Sequence, residues 1–384
     1  MESLLKSQEK ISLYSRYSIL TLSLKFIVTL LLTNKFTKNI SLWLINFTIN
    51  RKIKFFTKFL NSVYFGGETL NEAKAIVNFL GENNIYSVLD YAIEGEDNEQ
   101  FFDDAVESTL KLINFASNEK KIPYVVIKPS SLGAIHIYEE KTKSRTFLEK
   151  NSTDWDRILA RYEKIFSYAN KKSVRIMIDA EQSWIQSAVD KIAINSMINY
   201  NKKWPIITLT IQCYKKESLS LLKNLHAIAI DNKIKVGVKL VRGAYLEEET
   251  INHERSIGSF FSKKEETDYN YNVAVKYISE NISFFSPFFA THNEVSISNI
   301  LNEDILKHTT FWFGQLYGIG DHISSNLVNN GAKVCKYLPY GPFNKSLPYL
   351  LRRINENAVS IDTFMRENAI IRKEIISRIR RSIK

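Results

Sequence analysis

The sequence predicts an α/β protein, a closed (β/α)8 barrel preceded by an N-terminal helical region. Three observations carry this. Eight short β-rich runs recur from residue 86 onward, helix-sized connections separate most of them, and no G-x-G-x-x-G follows any strand. The runs are "YSVLDY", "IPYVVIK", "VRIMIDA", "PIITLTIQ", "KVGVKLV", "PFFATH", "TTFWFGQ" and "AKVCKYL". They are nearly continuous in apolar residues, as strands covered by helices on their outer side are. The connections include "DWDRILARYEKIFSYANK", "QSWIQSAVDKIAINSMINYN", "SLSLLKNLHAIAIDN" and "DYNYNVAVKYISENI". Eight strands and their helices fit the 384 residues better than an open doubly wound sheet, which would carry the missing glycine motif.

Composition narrows the class. Apolar residues make up 45%, enough for a sizeable core. The two cysteines, Cys213 and Cys335, argue against a disulfide framework or a structural zinc site and suit a reducing compartment. The formal net charge of +11 is spread along the chain in solvated loops such as "NYNKKW" and "SNEKKI". An anionic ligand, a membrane surface and nucleic acid all remain open on charge alone.

The N-terminal stretch "YSILTLSLKFIVTLLLT" is apolar but short for a membrane span, broken by Lys25, and without a small-residue cleavage site. The block after it, "FTKNISLWLINFTINRKIKFFTKFL", mixes Lys and Arg with Phe, Leu and Trp. Two readings stand: helices packed on the main domain, or an element lying in a membrane interface. The expected division is residues 1–65 as the helical region and 66–384 as the barrel.

The strand ends hold the chemistry. The eight runs finish near Asp90, Lys128, Asp179, Gln212, Lys239 with Arg242, His292, Gln315 and Tyr337. In a barrel of this type those ends converge on the mouth that carries the active site. In "KLVRGAYLEEE", Lys239 and Arg242 flank a strand end followed by Gly243 and Ala244, small residues that let a planar or phosphate-bearing ligand approach the backbone. Asp179 in "MIDAEQSW" needs a cation such as Lys128, unless it caps the next helix. "ATHN" supplies Thr291, His292 and Asn293. No acid or thiol stands at metal spacing from that histidine, so no metal is expected. There is no G-x-S-x-G hydrolase signature.

The segment "PYLLRRINENA" follows the eighth strand. Tyr349, Arg352, Arg353 and Glu356 fall at i, i+3, i+4 and i+7, one helical face, while Leu350, Leu351 and Ile354 lie elsewhere. Two guanidinium groups held by Glu356 suit a small carboxylate or a phosphate. The bland alternative is a solvated polar face. The residues alone therefore point to a barrel enzyme with a cationic mouth, a bound anionic ligand and aromatic walls from Tyr245, Tyr337 and Tyr349.

In order, "FGGET", "LDYAIEGE", "VIKPSSLG", "IDAEQSW", "LTIQCY", "VKLVRGAYLEEE", "ATHNEVS", "FGQLYGIGD", "KYLPYG" and "YLLRRINENA" make a chain that resembles the FAD-dependent proline dehydrogenases in their monofunctional form. The resemblance covers residues 64 to 365. It implies a distorted (β/α)8 TIM-type barrel with its last helix over the mouth, and oxidation of L-proline to Δ1-pyrroline-5-carboxylate by hydride transfer to flavin N5. It implies that Lys128, Arg352 and Arg353 bind the proline carboxylate, with Glu356 orienting the arginine pair. Tyr245, Leu316, Tyr337 and Tyr349 would wall the pyrrolidine ring. Asp179 would be the acidic residue of the site, and Lys239 the cation beside flavin N5. Ala180, Gln212, Lys239, Val241, Arg242, Gly243, Ala244, Thr291 and His292 would contact FAD. Bifunctional bacterial members tend to carry Arg and then Lys around the flavin; this chain has Lys239 and then Arg242. The expected electron acceptor is a membrane quinone. The expected place is the cytoplasm, at the inner face of the cytoplasmic membrane if the N-terminus touches lipid, with a separate pyrroline-5-carboxylate dehydrogenase taking the product toward glutamate. Nucleic acid is not an expected partner. A hydroxyproline dehydrogenase is the nearest alternative; its ring-wall tyrosine is replaced by a smaller residue, whereas Tyr337 is present here.

Overall fold

The structure is a computed structural model and describes residues 12–33, 64–92, 97–143, 152–303, 311–342, 346 and 361–383. Eight strands run β1 (Ile85–Tyr91), β2 (Tyr124–Ile127), β3 (Arg175–Ile178), β4 (Ile207–Gln212), β5 (Val236–Val241), β6 (Phe285–Ala290), β7 (Trp312–Leu316) and β8 (Val334–Tyr340). They close in that order into a barrel, with parallel pairing from β1 through β7. Every run read as a strand in the sequence is one. Strands β2, β3 and β4 are buried along their whole length, which accounts for their unbroken apolar character.

The helices are α1 (Ile19–Thr33), α2 (Leu70–Gly81), α3 (Glu99–Ser117), α4 (Ile135–Lys143), α5 (Ser152–Lys172), α6 (Ser183–Tyr200), α7 (Ser218–Asn232), α8 (Leu246–Ile251), α9 (Lys264–Glu280), α10 (Glu294–Asn302), α11 (Asp321–Asn329) and α12 (Ile361–Ile383). A 3-10 turn, Leu13–Arg16, precedes α1. Several starts are set by side chains. Asn98 accepts from Phe101 N at 2.8 Å to open α3, and Asn293 accepts from Val295 N and Ser296 N at 3.0 and 3.1 Å to open α10.

The chain forms two compact units. One comprises residues 88–91 and 95–314, the other residues 1–87, 92–94 and 315–384. Within the first, aromatic rings from three strands pack together: Tyr124 meets Phe288 at 5.4 Å and Trp312 at 6.1 Å, both edge-on. Phe288 and Tyr124 are almost wholly buried, and each such side chain contributes roughly 1.5–3 kcal/mol. Arg175 lies over Tyr124 and Trp204 and donates to the Tyr124 hydroxyl at 2.9 Å, so its charge is both stacked and hydrogen-bonded.

Within the second unit, α1 packs along α12. Lys25, the residue that interrupts the apolar N-terminal stretch, points inward and is fully buried. No helix among the described residues is long and apolar enough to cross a membrane. The basic-aromatic block at residues 36–60 lies outside the described residues.

Candidate functional site

Strand register places the central pair of the site. Ile178 of β3 pairs with Leu209 of β4, and Thr210 pairs with Lys239 of β5. Asp179, one step beyond Ile178, therefore flanks Thr210 from one side while Lys239 flanks it from the other. Their side chains meet with Lys239 Nζ donating to Asp179 Oδ1 at 2.6 Å, both about nine-tenths buried. The sequence pointed to Lys128 as the cation for Asp179. Lys128 Nζ stands 3.1 Å from Asp90 Oδ2, where the β1–β2 register brings those two strand ends together. Asp179 does not cap α6 either: the helix is preceded by Gln182, and Ser183 N and Oγ both donate to Glu249 at 2.6 Å. Two buried ion pairs thus stand at the carboxyl ends of β1, β2, β3 and β5. Buried charges are expensive unless paired, and here each has its partner.

Arg242 forms a second node. Its Nε donates to Asp268, Nη1 to Thr291 Oγ1 at 2.7 Å and Nη2 to Ser296 Oγ at 2.8 Å. Its guanidinium lies 4.5 Å from the centre of the Tyr271 ring. The fork thereby joins the end of β5 to α9, the end of β6 and α10. Arg242 and Thr291, both singled out in the sequence, are brought together. Asp268, Ser296 and Tyr271 were not, and nothing in the local spacing links them to Arg242. The Asp268 carboxyl is held below its ordinary range: burial works upward, but the bonds from Lys264 and Arg242 outweigh it.

Gln212, at the end of β4, is buried and donates to Glu181 O at 2.9 Å. Glu181 in turn accepts from Ser130 N at 2.8 Å and Ser130 Oγ at 2.6 Å, tying the strand-end loop after β3 to that after β2. Ala180 and His292 are half-buried and Tyr245 is buried just before α8. Val241 closes β5. Gly243 has a firmer reason than ligand approach. Its φ is +119°, and a Cβ there would come within 1.7 Å of the Tyr214 ring. Leu316 ends β7 and Tyr337 sits buried in β8. Tyr349, Arg352, Arg353 and Glu356 lie outside the described residues, and Ala244 is half-buried.

Chemically, the ends of β4, β5 and β6 offer an amide, an ammonium, a guanidinium, a hydroxyl and an imidazole from Gln212, Lys239, Arg242, Thr291 and His292. The acids beside them, Asp179 and Asp268, are each ion-paired. This donor set fits a cofactor with anionic groups and many acceptor atoms.

The family model for proline dehydrogenase matches residues 73–367. A carbapenem antibiotics biosynthesis protein, CarD, of Pectobacterium carotovorum subsp. carotovorum is 44% identical over 370 residues, covering 96% of this chain and 97% of that protein. Mitochondrial proline dehydrogenase 1 of Dictyostelium discoideum is 28% identical, covering 86% of this chain and 67% of its own length. The crystal structure of proline utilization A from Bdellovibrio bacteriovorus, inactivated by N-propargylglycine, superposes with a TM-score of 0.73 at 21% identity over 95% of this chain. The present chain spans 41% of that longer one, and the likeness is one of fold. A barrel with paired charges at its strand ends, matched by that family model over most of its length, places the chain in the proline dehydrogenase family of oxidoreductases.

Proposed function

We propose that the protein oxidises L-proline to Δ1-pyrroline-5-carboxylate with FAD as its cofactor and passes the electrons to a membrane quinone. The observation that carries this reading is the buried Lys239–Asp179 pair at 2.6 Å, standing at strand ends where such barrels do their chemistry. Apolar layers would fill the barrel at less cost, so a charged pair there has a use beyond packing.

FAD, when bound, supplies the acceptor for the two electrons and the hydrogen that leave the ring carbon next to nitrogen. The chain's own residues do the rest. Gln212, Lys239, Val241, Arg242, Gly243, Ala244, Ala180, Thr291 and His292 are the proposed flavin contacts. Asp179 Oδ1 fixes the Lys239 ammonium in place, so that its charge stands ready for the electron-rich reduced cofactor rather than reorganising toward it. Arg242, already braced by Asp268, Thr291 and Ser296, presents a charge whose direction is set before any ligand arrives. Lys128, Arg352 and Arg353 are the proposed carboxylate binders, with Glu356 orienting the arginines. Fixing the carboxylate fixes the ring and turns a collision into a positioned reaction. Tyr245, Leu316, Tyr337 and Tyr349 are the proposed walls of the ring site. Residues 1–65 are the proposed helical region beside the barrel of residues 66–384, with peripheral contact to a membrane as its proposed use.

Tyr337 supports proline over hydroxyproline, since a full-sized wall leaves no room for a ring hydroxyl. The 44% relative named for carbapenem biosynthesis supports a second setting for the same chemistry, in which the imine feeds antibiotic assembly rather than glutamate formation. Loss of growth on proline in a gene deletion supports the catabolic setting; unimpaired growth supports the other.

Steady-state turnover of L-proline with FAD and a soluble quinone tests the reaction. Arg352→Met and Arg353→Met should each raise the proline KM by about a hundredfold while FAD stays bound. A protein that FAD cannot reconstitute, or equal loss of FAD in both variants, sinks the reading.

A further inference from the structure

A four-membered buried charge cluster uses none of the charged residues of the site above. Lys25 of α1 places Nζ 2.8 Å from Asp321 Oδ2 and 2.7 Å from Glu367 Oε1. Lys336 of β8 places Nζ 3.0 Å from Asp321 Oδ1. None of the four side chains is more than 1% exposed. Two tyrosines complete it: Tyr14 donates to Glu367 Oε1 at 2.9 Å and Tyr17 to Asp321 Oδ2 at 3.2 Å. Burial works against the Lys25 charge, but Asp321 and Glu367 together hold it above its ordinary range.

Such clusters add little net stability, because desolvation consumes most of the Coulomb gain. Their use is geometric. The cluster grips the turn between β7 and α11. Lys336 Nζ donates to Ile319 O at 2.7 Å and approaches Leu316 O at 3.4 Å, and Gly320 N donates to Glu367 Oε2 at 3.2 Å. Tyr317 N donates to Tyr337 O at 3.0 Å. The turn contains Gly318 and Gly320 at φ +83° and +63°, so its own backbone is permissive and its shape is set from outside. Leu316 opens this turn, and Tyr337 follows Lys336 directly.

We infer that α1 is a positioning element for the substrate site: the Lys25–Asp321–Lys336–Glu367 cluster sets the β7–α11 turn and thereby the placement of Leu316 and Tyr337. The inference rests on the reading of those two residues as ring walls. The N-terminal helix is then part of the enzyme's specificity, not only of its packing.

The test compares the holoenzyme with Lys25→Met/Glu367→Gln, which removes one charge of each sign, with Leu316→Ala, and with all three changes together. Flavin content, kcat and the L-proline KM are read for each. The charge-pair variant should keep its flavin and a kcat within about threefold, while KM rises about tenfold. Combined with Leu316→Ala, KM should rise by less than the product of the separate factors, since both act on one wall. An unchanged KM in the flavin-loaded variant, or multiplicative effects, overturns the inference. If Leu316→Ala alone leaves KM unchanged, the wall reading falls and takes the inference with it. Should the charge-pair variant not fold, Tyr14→Phe/Tyr17→Phe removes only the two hydroxyls. It should raise KM about threefold with flavin retained, and an unchanged KM there overturns the inference equally.

Discussion

Arg242→Lys separates the structural work of the guanidinium from any work on a cofactor. The fork makes three side-chain hydrogen bonds, to Asp268, Thr291 and Ser296, and lies over Tyr271. A lysine keeps its charge and can reach one of these partners. It loses two charge-assisted bonds, each worth roughly 1.5–3 kcal/mol, and most of a stacking contact worth roughly 0.5–1 kcal/mol. Arg242 is 20% exposed, so solvent repays part of the loss. The net cost should be about 2–4 kcal/mol. Urea unfolding of the flavin-free protein measures it, and titration of the same sample with FAD measures the effect on the cofactor. A loss under about 0.5 kcal/mol would refute the view that this fork ties β5 to α9 and α10. Unchanged stability with weakened FAD binding would assign the guanidinium to the cofactor alone.

Three further outcomes are expected. Gly243→Ala should unfold or strongly destabilise the protein, by about 3 kcal/mol or more, because a methyl at φ +119° collides with Tyr214; a melting temperature within a degree or two of the parent contradicts this. Burial pushes the Asp190 carboxyl up to about 6 against the pull of its Gln186 bond, so the folded state holds that proton more tightly than the unfolded state. Its contribution is full at low pH and is lost as pH rises through about 6, and Asp190→Asn should remove that loss. The stability gap between Asp190→Asn and parent should therefore widen from pH 4 to 7, and a gap independent of pH would count against it. Asp179→Asn should leave Lys239 buried without its carboxylate and cost about 3–5 kcal/mol, more than Asp179→Asn/Lys239→Met costs; equal losses in calorimetry would mean the pair is not coupled.

The barrel was legible because its signal is local. Each strand is a short apolar run, and the helix "SLSLLKNLHAIAIDN" coincides with α7 from Ser218 to Asn232. The polar strand ends were legible too, as single residues. Their partners were not. Asp179 and Lys128 sit at adjacent strand ends and look like a pair in sequence, but Lys239, 60 residues on and across β4, is a partner of Asp179 that the spacing does not reveal. Arg242 reads as a free cation in a loop, because Asp268, Thr291 and Ser296 arrive from elements 26 to 54 residues later. Gly243 reads as room for a ligand, and its spacing does not reveal that the Tyr214 ring alone already requires a glycine there. Lys25 is the sharpest case. One lysine in an apolar stretch reads as an interruption, and only contacts to Asp321 and Glu367, about three hundred residues away, show its charge to be buried and paired. The face shared by Tyr349, Arg352, Arg353 and Glu356 rests on periodicity alone, since it lies outside the described residues.

Proline oxidation by bound FAD is tested most directly by an anaerobic titration. The purified protein should show the yellow absorbance of an oxidised flavin, and L-proline added without oxygen should bleach it while a matching amount of trapped imine appears. A flavin-loaded protein whose colour L-proline leaves untouched would contradict the account.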